Sequence, residues 1–104
     1  MAGARLQYKM LSMDLSLPGA DLVERGLNDL EHGLESIEAL LVSIGAPRLL
    51  GLGFEVHRPL DNPEHRLYER LAAEDSDSAH SRYNALIRRL VSFERAAECV
   101  NRQT

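Results

Sequence analysis

The chain has 104 residues, of which 44% are hydrophobic and 27% are charged, and its formal net charge is −4. These values are typical of one globular domain and argue against wholesale disorder. The longest apolar runs, such as residues 39–42, are too short to span a bilayer. The single Cys99 excludes an intramolecular disulfide and a zinc site built on cysteines. We therefore expect a soluble cytoplasmic protein without a membrane partner.

Three methionines near the beginning of the sequence are candidate start residues, namely Met1, Met10 and Met13. We interpret residues 1–13 as a leader, and its order is left open. Residues 14–104 are expected to form a single helical domain.

A helical pattern runs from residue 18 to residue 45. Gly45 and Pro47 are expected to end it. Gly26 and Gly33 lie inside it, where each is either a tolerated weak point or a place where a neighbouring helix comes close. Its apolar residues recur in alternating steps of four and three, which is a heptad pattern, and they form what we call the first seam: Val23, Leu27, Leu30, Leu34, Ile37, Leu41 and Ile44.

The segment 46–63 contains three prolines and two glycines, which is typical of a connector, with one helical turn at 47–51. A small β element that pairs residues 5–17 with residues 52–58 is left open.

Asn62 and Pro63 predict the start of a short helix that continues to about Ala73. A last helix is expected over about 78–101, because its apolar residues again recur in steps of three and four. They form the second seam: Tyr83, Leu86, Leu90, Phe93, Ala97 and Val100.

The sequence therefore predicts an all-α fold, a helical bundle of two long heptad-patterned helices and one short helix. The short helix cannot cover both long ones, because at 1.5 Å per residue it spans about 17 Å against about 42 Å and 36 Å. Apolar residues beside the seams would then need further cover: Leu22, Leu40, Ile87 and Val91.

A second copy of the chain could supply that cover, so we predict a homodimer. Its predicted interface comprises the residues of the first seam together with Leu40, whose replacement by glutamate is expected to separate the two copies. The alternative is a first helix that breaks near Gly33 and folds back, which gives a compact monomer.

Potential metal ligands cluster in the first helix at Asp29, Glu31, His32 and Glu35. The heptad positions place Asp29 and His32 on the side away from the seam, whereas di-metal bundles need their ligands to point inward. A similar spacing at Asp77 and His80 straddles a helix start. We therefore predict a solvated acidic surface and assign no metal.

The connector carries a candidate ligand site formed by His57, Asp61 and His65, because loops often carry functional residues. Their spacing matches no catalytic or metal motif, and no nucleophile elbow, phosphate-binding loop or dinucleotide fingerprint is present. The sequence thus assigns no catalytic residue and no cofactor.

The two long helices carry opposite charge, since residues 14–45 sum to −6 and residues 78–104 sum to +3. Arg88, Arg95 and Arg102 recur every seven residues on the outer side of the last helix, and we call them the arginine stripe. The stripe could contact nucleic-acid phosphates, although the net negative charge of the chain argues against it. Arg82 and Arg89 are placed to pair with an acidic helix.

These observations lead to one main expectation of function, a non-enzymatic protein–protein interaction or regulatory module that acts as a helical homodimer. An unknown protein partner is compatible with it. The first alternative is a small nucleic-acid-associated regulator that uses the arginine stripe. The second alternative is an enzyme or ligand-binding protein that uses the connector at 57–65.

Overall fold

The computed structural model of the chain describes residues 16–102, with side chains up to residue 100. The predicted leader at 1–13, and nearly all of the predicted strand at 5–17, lie outside the described residues. Within them are five α-helices. They are α1 (Ala20–Glu31), α2 (Ile37–Ile44), α3 (Ala46–Gly51), α4 (Pro63–Glu74) and α5 (Ala79–Arg102).

The predicted all-α helical bundle is confirmed. Residues 52–58 contain no strand, so the small β element at that segment is wrong. Ser43 in α2 accepts a hydrogen bond at 2.9 Å from the backbone N–H of Leu60, which ties the connector to the bundle instead. Across residues 16–102, no helix is both long enough and apolar enough to cross a membrane.

The long first helix expected over 18–45 is wrong, and the alternative break near Gly33 is confirmed. Gly33 has a φ of +70°, a left-handed conformation that glycine adopts without a steric penalty. The N–H groups of Gly33 and Leu34 donate to the carbonyls of Leu30 and Asp29 at 3.1 Å and 2.8 Å. This is a Schellman arrangement, which satisfies the last carbonyls of α1 and turns the chain away.

The second half of the predicted helix starts again at a cap formed by Ser36. Its hydroxyl oxygen accepts a hydrogen bond at 3.0 Å from the backbone N–H of Ala39 and donates at 2.6 Å to the Asp29 carboxylate. An N-cap serine of this kind stabilises a helix by about 1 kcal/mol. Asp29 therefore joins the end of α1 to the beginning of α2, a role that the sequence did not assign to it.

Gly26 allows α1 and α2 to pack unusually close together. A Cβ atom added at Gly26 would lie 2.3 Å from the Glu38 carbonyl oxygen and 2.4 Å from the Val42 side chain. The interpretation of this glycine as a place of close helix approach is thus confirmed. Gly33 has no atom within 4 Å of such a Cβ position, so its role is conformational.

Folding back changes which apolar residues are covered. Leu34, assigned to the first seam, is 56% exposed, because it lies in the bend between α1 and α2. Leu40, which was placed beside the seam as an interface residue, is fully buried, because α2 is enclosed by other helices of the same chain. Leu40→Glu would therefore disrupt the fold of one chain and cannot report on a dimer.

The remaining helices enclose the α1–α2 pair. Phe93 of α5 is fully buried and contacts Phe54, with ring centroids 5.6 Å apart. Leu67 and Leu71 of α4 are fully buried. Asn62 precedes α4 as predicted, but it has a φ of 49° and makes no side-chain cap hydrogen bond.

Gly26→Ala provides a test of the close α1–α2 contact. Helix propensity alone favours alanine by about 1 kcal/mol. We nevertheless expect the variant to lower the free energy of unfolding by about 1 to 3 kcal/mol, because the new methyl group overlaps backbone and side-chain atoms of α2. Urea denaturation followed by circular dichroism measures the change, and a gain in stability would contradict the observed packing.

Candidate functional site

An open cleft of about 250 Å³ lies beside α5, and we call it the α5 cleft. It lies where α5 passes the end of α2 and the start of α3. Its lining is mostly apolar. The residues that line it are Ile44, Gly45, Pro47 and Arg48 on one side and Ile87, Leu90, Val91 and Glu94 on the other.

Glu94 is an ionisable residue that is almost completely buried, with 4% of its surface exposed. Gly45 makes room for it, since a Cβ atom at Gly45 would lie 2.8 Å from the Glu94 Oε2 atom. The Arg48 guanidinium is 3.7 Å from the Glu94 carboxylate and 3.5 Å from that of Glu98. One arginine therefore stands between two carboxylates, one buried and one partly exposed.

Burial raises the pKa of the Glu94 carboxyl group above its ordinary value of 4.5, because desolvation disfavours the charged form. The Arg48 charge acts in the opposite direction and is the smaller influence. The attraction of Arg48 thus offsets only part of the desolvation of the Glu94 carboxylate. Covering the cleft with another apolar surface would remove more water from it.

The chemistry available in the α5 cleft is limited to this acid and this arginine. Its lining residues include no histidine, cysteine, serine or threonine that could act as a nucleophile or relay a proton.

The potential ligands near the α1–α2 bend are used in contacts that hold the fold. Asp29 accepts from Ser36, and the Nδ1 atom of His32 lies 2.8 Å from the carbonyl oxygen of Asn28, one turn earlier. Glu35 forms an ion pair with Arg66 of α4. No group of three or more histidine, cysteine, aspartate or glutamate side chains in the described part of the chain could hold a metal ion.

The connector residues proposed as a ligand site are all on the surface. His57, Asp61 and His65 are exposed, and none of them lines the α5 cleft. His65 lies 3.3 Å from Glu69 one turn later in α4. His80, from the other histidine pattern, is exposed and contacts Asn84 at 3.2 Å. All four of these side chains thus lie on the surface formed by the described residues.

The arginines of α5 fall into two groups. Arg89 contacts Asp21 of α1 at 3.1 Å and Arg82 contacts Glu74 at 2.9 Å, so both pair with acidic residues of the same chain. Arg88 and Arg95 of the arginine stripe are exposed, and among the described residues neither lies within ion-pair distance of a carboxylate. The side chain of Arg102 lies outside the described residues. The stripe thus leaves two guanidinium groups available to a partner.

Comparison of the chain with protein-family models, with curated proteins and with solved structures found no match.

Sequence reasoning found part of the α5 cleft and missed the rest. Ile87 and Val91 were expected to need cover because they are apolar and lie beside the second seam. Glu94 was missed, since its position next to the seam is ordinary for a glutamate. Its burial depends on Gly45 and Arg48, which are distant in sequence and come close only through the fold.

The raised pKa of Glu94 gives a pH dependence of stability. The folded chain holds this proton more tightly than the unfolded chain, so the contribution of Glu94 is fully present below pH 4.5 and is lost as the pH rises through its folded-state pKa. The advantage of Glu94→Gln in unfolding free energy over the unmodified chain should therefore grow as the pH rises from about 4.5 towards 8.

Urea denaturation at a series of pH values measures this difference. Glu98→Gln is the matched control, because it removes the other carboxylate that contacts Arg48 and leaves the buried one in place. A difference between Glu94→Gln and the unmodified chain that shrinks as the pH rises would contradict the assignment.

Proposed function

We propose that the protein is a non-enzymatic protein–protein interaction or regulatory module that acts as a helical homodimer and associates through the α5 cleft. The observation that carries the proposal is the partly exposed pair Ile87 and Val91, which lies with Ile44 in an open, mostly apolar cleft. Clefts of this kind are common places for a partner to cover apolar surface.

The structure removes the reason for which the sequence predicted a dimer, namely apolar residues of the first seam left without cover. Residues of the predicted interface are buried in the core of a single chain, namely Val23, Leu27, Leu30, Leu40 and Leu41. Because other helices of the same chain cover these residues, they do not require a second copy. Ile44 belongs to the predicted interface and also lines the α5 cleft.

Two features of the site favour binding over catalysis. Glu94 and Arg48 contact each other at the cleft, and the other lining residues are apolar or glycine. The connector residues of the enzyme alternative, His57, Asp61 and His65, are exposed, and none of them lines the α5 cleft. Substrate binding sites generally enclose their ligand far more than this.

Self-association tests the proposal directly. We expect the unmodified chain to form a dimer at about 50 µM, well above a micromolar dissociation constant. Val91→Glu should shift it to a monomer with unchanged helical content, because a charge would be buried in the contact. Light scattering coupled to size exclusion measures the mass, and a monomer for the unmodified chain would contradict the proposal.

Val100→Glu is the matched control for that experiment. Val100 is on the same helix and is 41% exposed, but it does not line the α5 cleft. The same substitution there should leave the dimer intact. Loss of the dimer in both variants would place the contact elsewhere on α5.

Nucleic-acid binding is a second candidate, because Arg88 and Arg95 are exposed and make no ion pair among the described residues. Two such arginines on a chain of net charge −4 supply little of the phosphate neutralisation that binding needs.

We therefore expect mixed-sequence duplex DNA at physiological salt to bind with a Kd of about 0.1 mM or weaker. Fluorescence anisotropy with a labelled duplex measures this affinity. Submicromolar binding that is abolished by Arg88→Glu with Arg95→Glu would favour the nucleic-acid regulator over the interaction module.

A further inference from the structure

The Glu94 carboxylate is an ionisable group in the wall of a mostly apolar cleft. Ile44 and Val91 line the cleft beside it, and only 4% of the surface of Glu94 is exposed. Its partner among the described residues is Arg48, whose guanidinium nitrogen is 3.7 Å from Oε1. That distance is longer than a hydrogen bond. The ionised form of Glu94 is therefore held by attraction at a distance and by the water that reaches the open cleft.

The charged groups that face Glu94 come from two helices. α3 contributes Arg48, and α5 contributes Glu98, one turn after Glu94 and 3.5 Å from the same guanidinium. α2 contributes Ile44 and Gly45 to the cleft, and neither carries a charged side chain. The Arg48 side chain is 43% exposed, so water screens part of its attraction for the Glu94 carboxylate.

The ionisable residues that α1 and α4 place against α5 belong to other contacts. Asp21 of α1 pairs with Arg89, and Glu74 of α4 pairs with Arg82. None of these four residues lines the α5 cleft. The protonation of Glu94 is therefore governed by its burial and, to a smaller extent, by Arg48.

A partner that fills the cleft would change the surroundings of Glu94 in one direction. It would replace the remaining water beside the carboxylate with apolar side chains. An ionised carboxylate that loses its water without gaining hydrogen bonds is strongly destabilised, whereas the protonated form is buried at far lower cost. Burial within one chain already raises the pKa of Glu94, because desolvation disfavours its charged form. Covering the cleft would act in the same sense.

We propose that association through the α5 cleft takes up a proton on Glu94 of each copy, so that the dimer is favoured at acidic pH and weakens as the pH rises. This inference rests on the proposed function and adds its regulation. A group that holds its proton more tightly in the dimer than in the free chain supports association at low pH, and this support is lost as the pH rises. In a symmetric pair both clefts are covered, so two protons are coupled to one association.

The dissociation constant measured from pH 5 to pH 8 tests this coupling. For the unmodified chain, the Kd should rise about tenfold or more over this range, because both copies of Glu94 contribute. Glu94→Gln has a neutral side chain of nearly the same shape at every pH, so its Kd should change by no more than about threefold. At pH 8 this variant should dimerise more tightly than the unmodified chain. Sedimentation velocity over a concentration series measures each Kd.

Glu98→Gln is the matched control. It removes the same formal charge from the chain and affects the same arginine, but Glu98 is partly exposed and does not line the cleft. Its Kd should still rise with pH, as in the unmodified chain. The comparison separates Glu94 from the other groups that titrate over this range, among them the four histidines of the chain.

The outcomes separate this inference from the function on which it rests. A dimer whose Kd is constant from pH 5 to pH 8, or a Glu94→Gln variant that keeps the full pH dependence, overturns the proton coupling and leaves the homodimer standing. A chain that stays monomeric at every pH and concentration overturns the homodimer and this inference together. Circular dichroism of each variant at both ends of the pH range distinguishes lost association from lost folding.

Discussion

The close contact between α1 and α2 at Gly26 is the constraint on which the rest of the structure depends. It requires the chain to reverse direction within five residues, which Gly33 permits by its left-handed backbone and Ser36 completes by capping α2. Once the reversal is made, α2 becomes the centre of the bundle, and Leu40 and Leu41 are fully buried. A chain of this length then covers most of its own apolar surface without a second copy.

The same packing determines which apolar residues of α5 remain partly exposed. α5 buries Phe93 beside Phe54 and leaves Ile87 and Val91 at an open cleft. Gly45 admits the Glu94 carboxylate beside them, where desolvation raises its pKa. The apolar cleft and the buried carboxylate beside it follow from packing one amphipathic helix over a compact hairpin.

The spacing of apolar residues predicted burial correctly within the helices, but it did not predict the bend between α1 and α2. Val23, Leu27 and Leu30 are buried as the heptad pattern predicts. The pattern continued unbroken through Leu34, because a three-and-four spacing can persist across a short bend. Gly26 and Gly33 looked equivalent in sequence, but one serves packing and the other conformation. The buried state of Glu94 could not be predicted, since it depends on tertiary contacts alone.

The most direct test of this account is a nuclear Overhauser effect between the Gly26 α protons and the Val42 methyl groups, measured within a single isotope-labelled chain. The observed close approach of these residues predicts a strong signal. In a continuous helix the two residues would be about 24 Å apart, because they are separated by sixteen steps of about 1.5 Å each. Absence of the signal, together with unbroken helical contacts through residues 31–37, would contradict the folded-back hairpin.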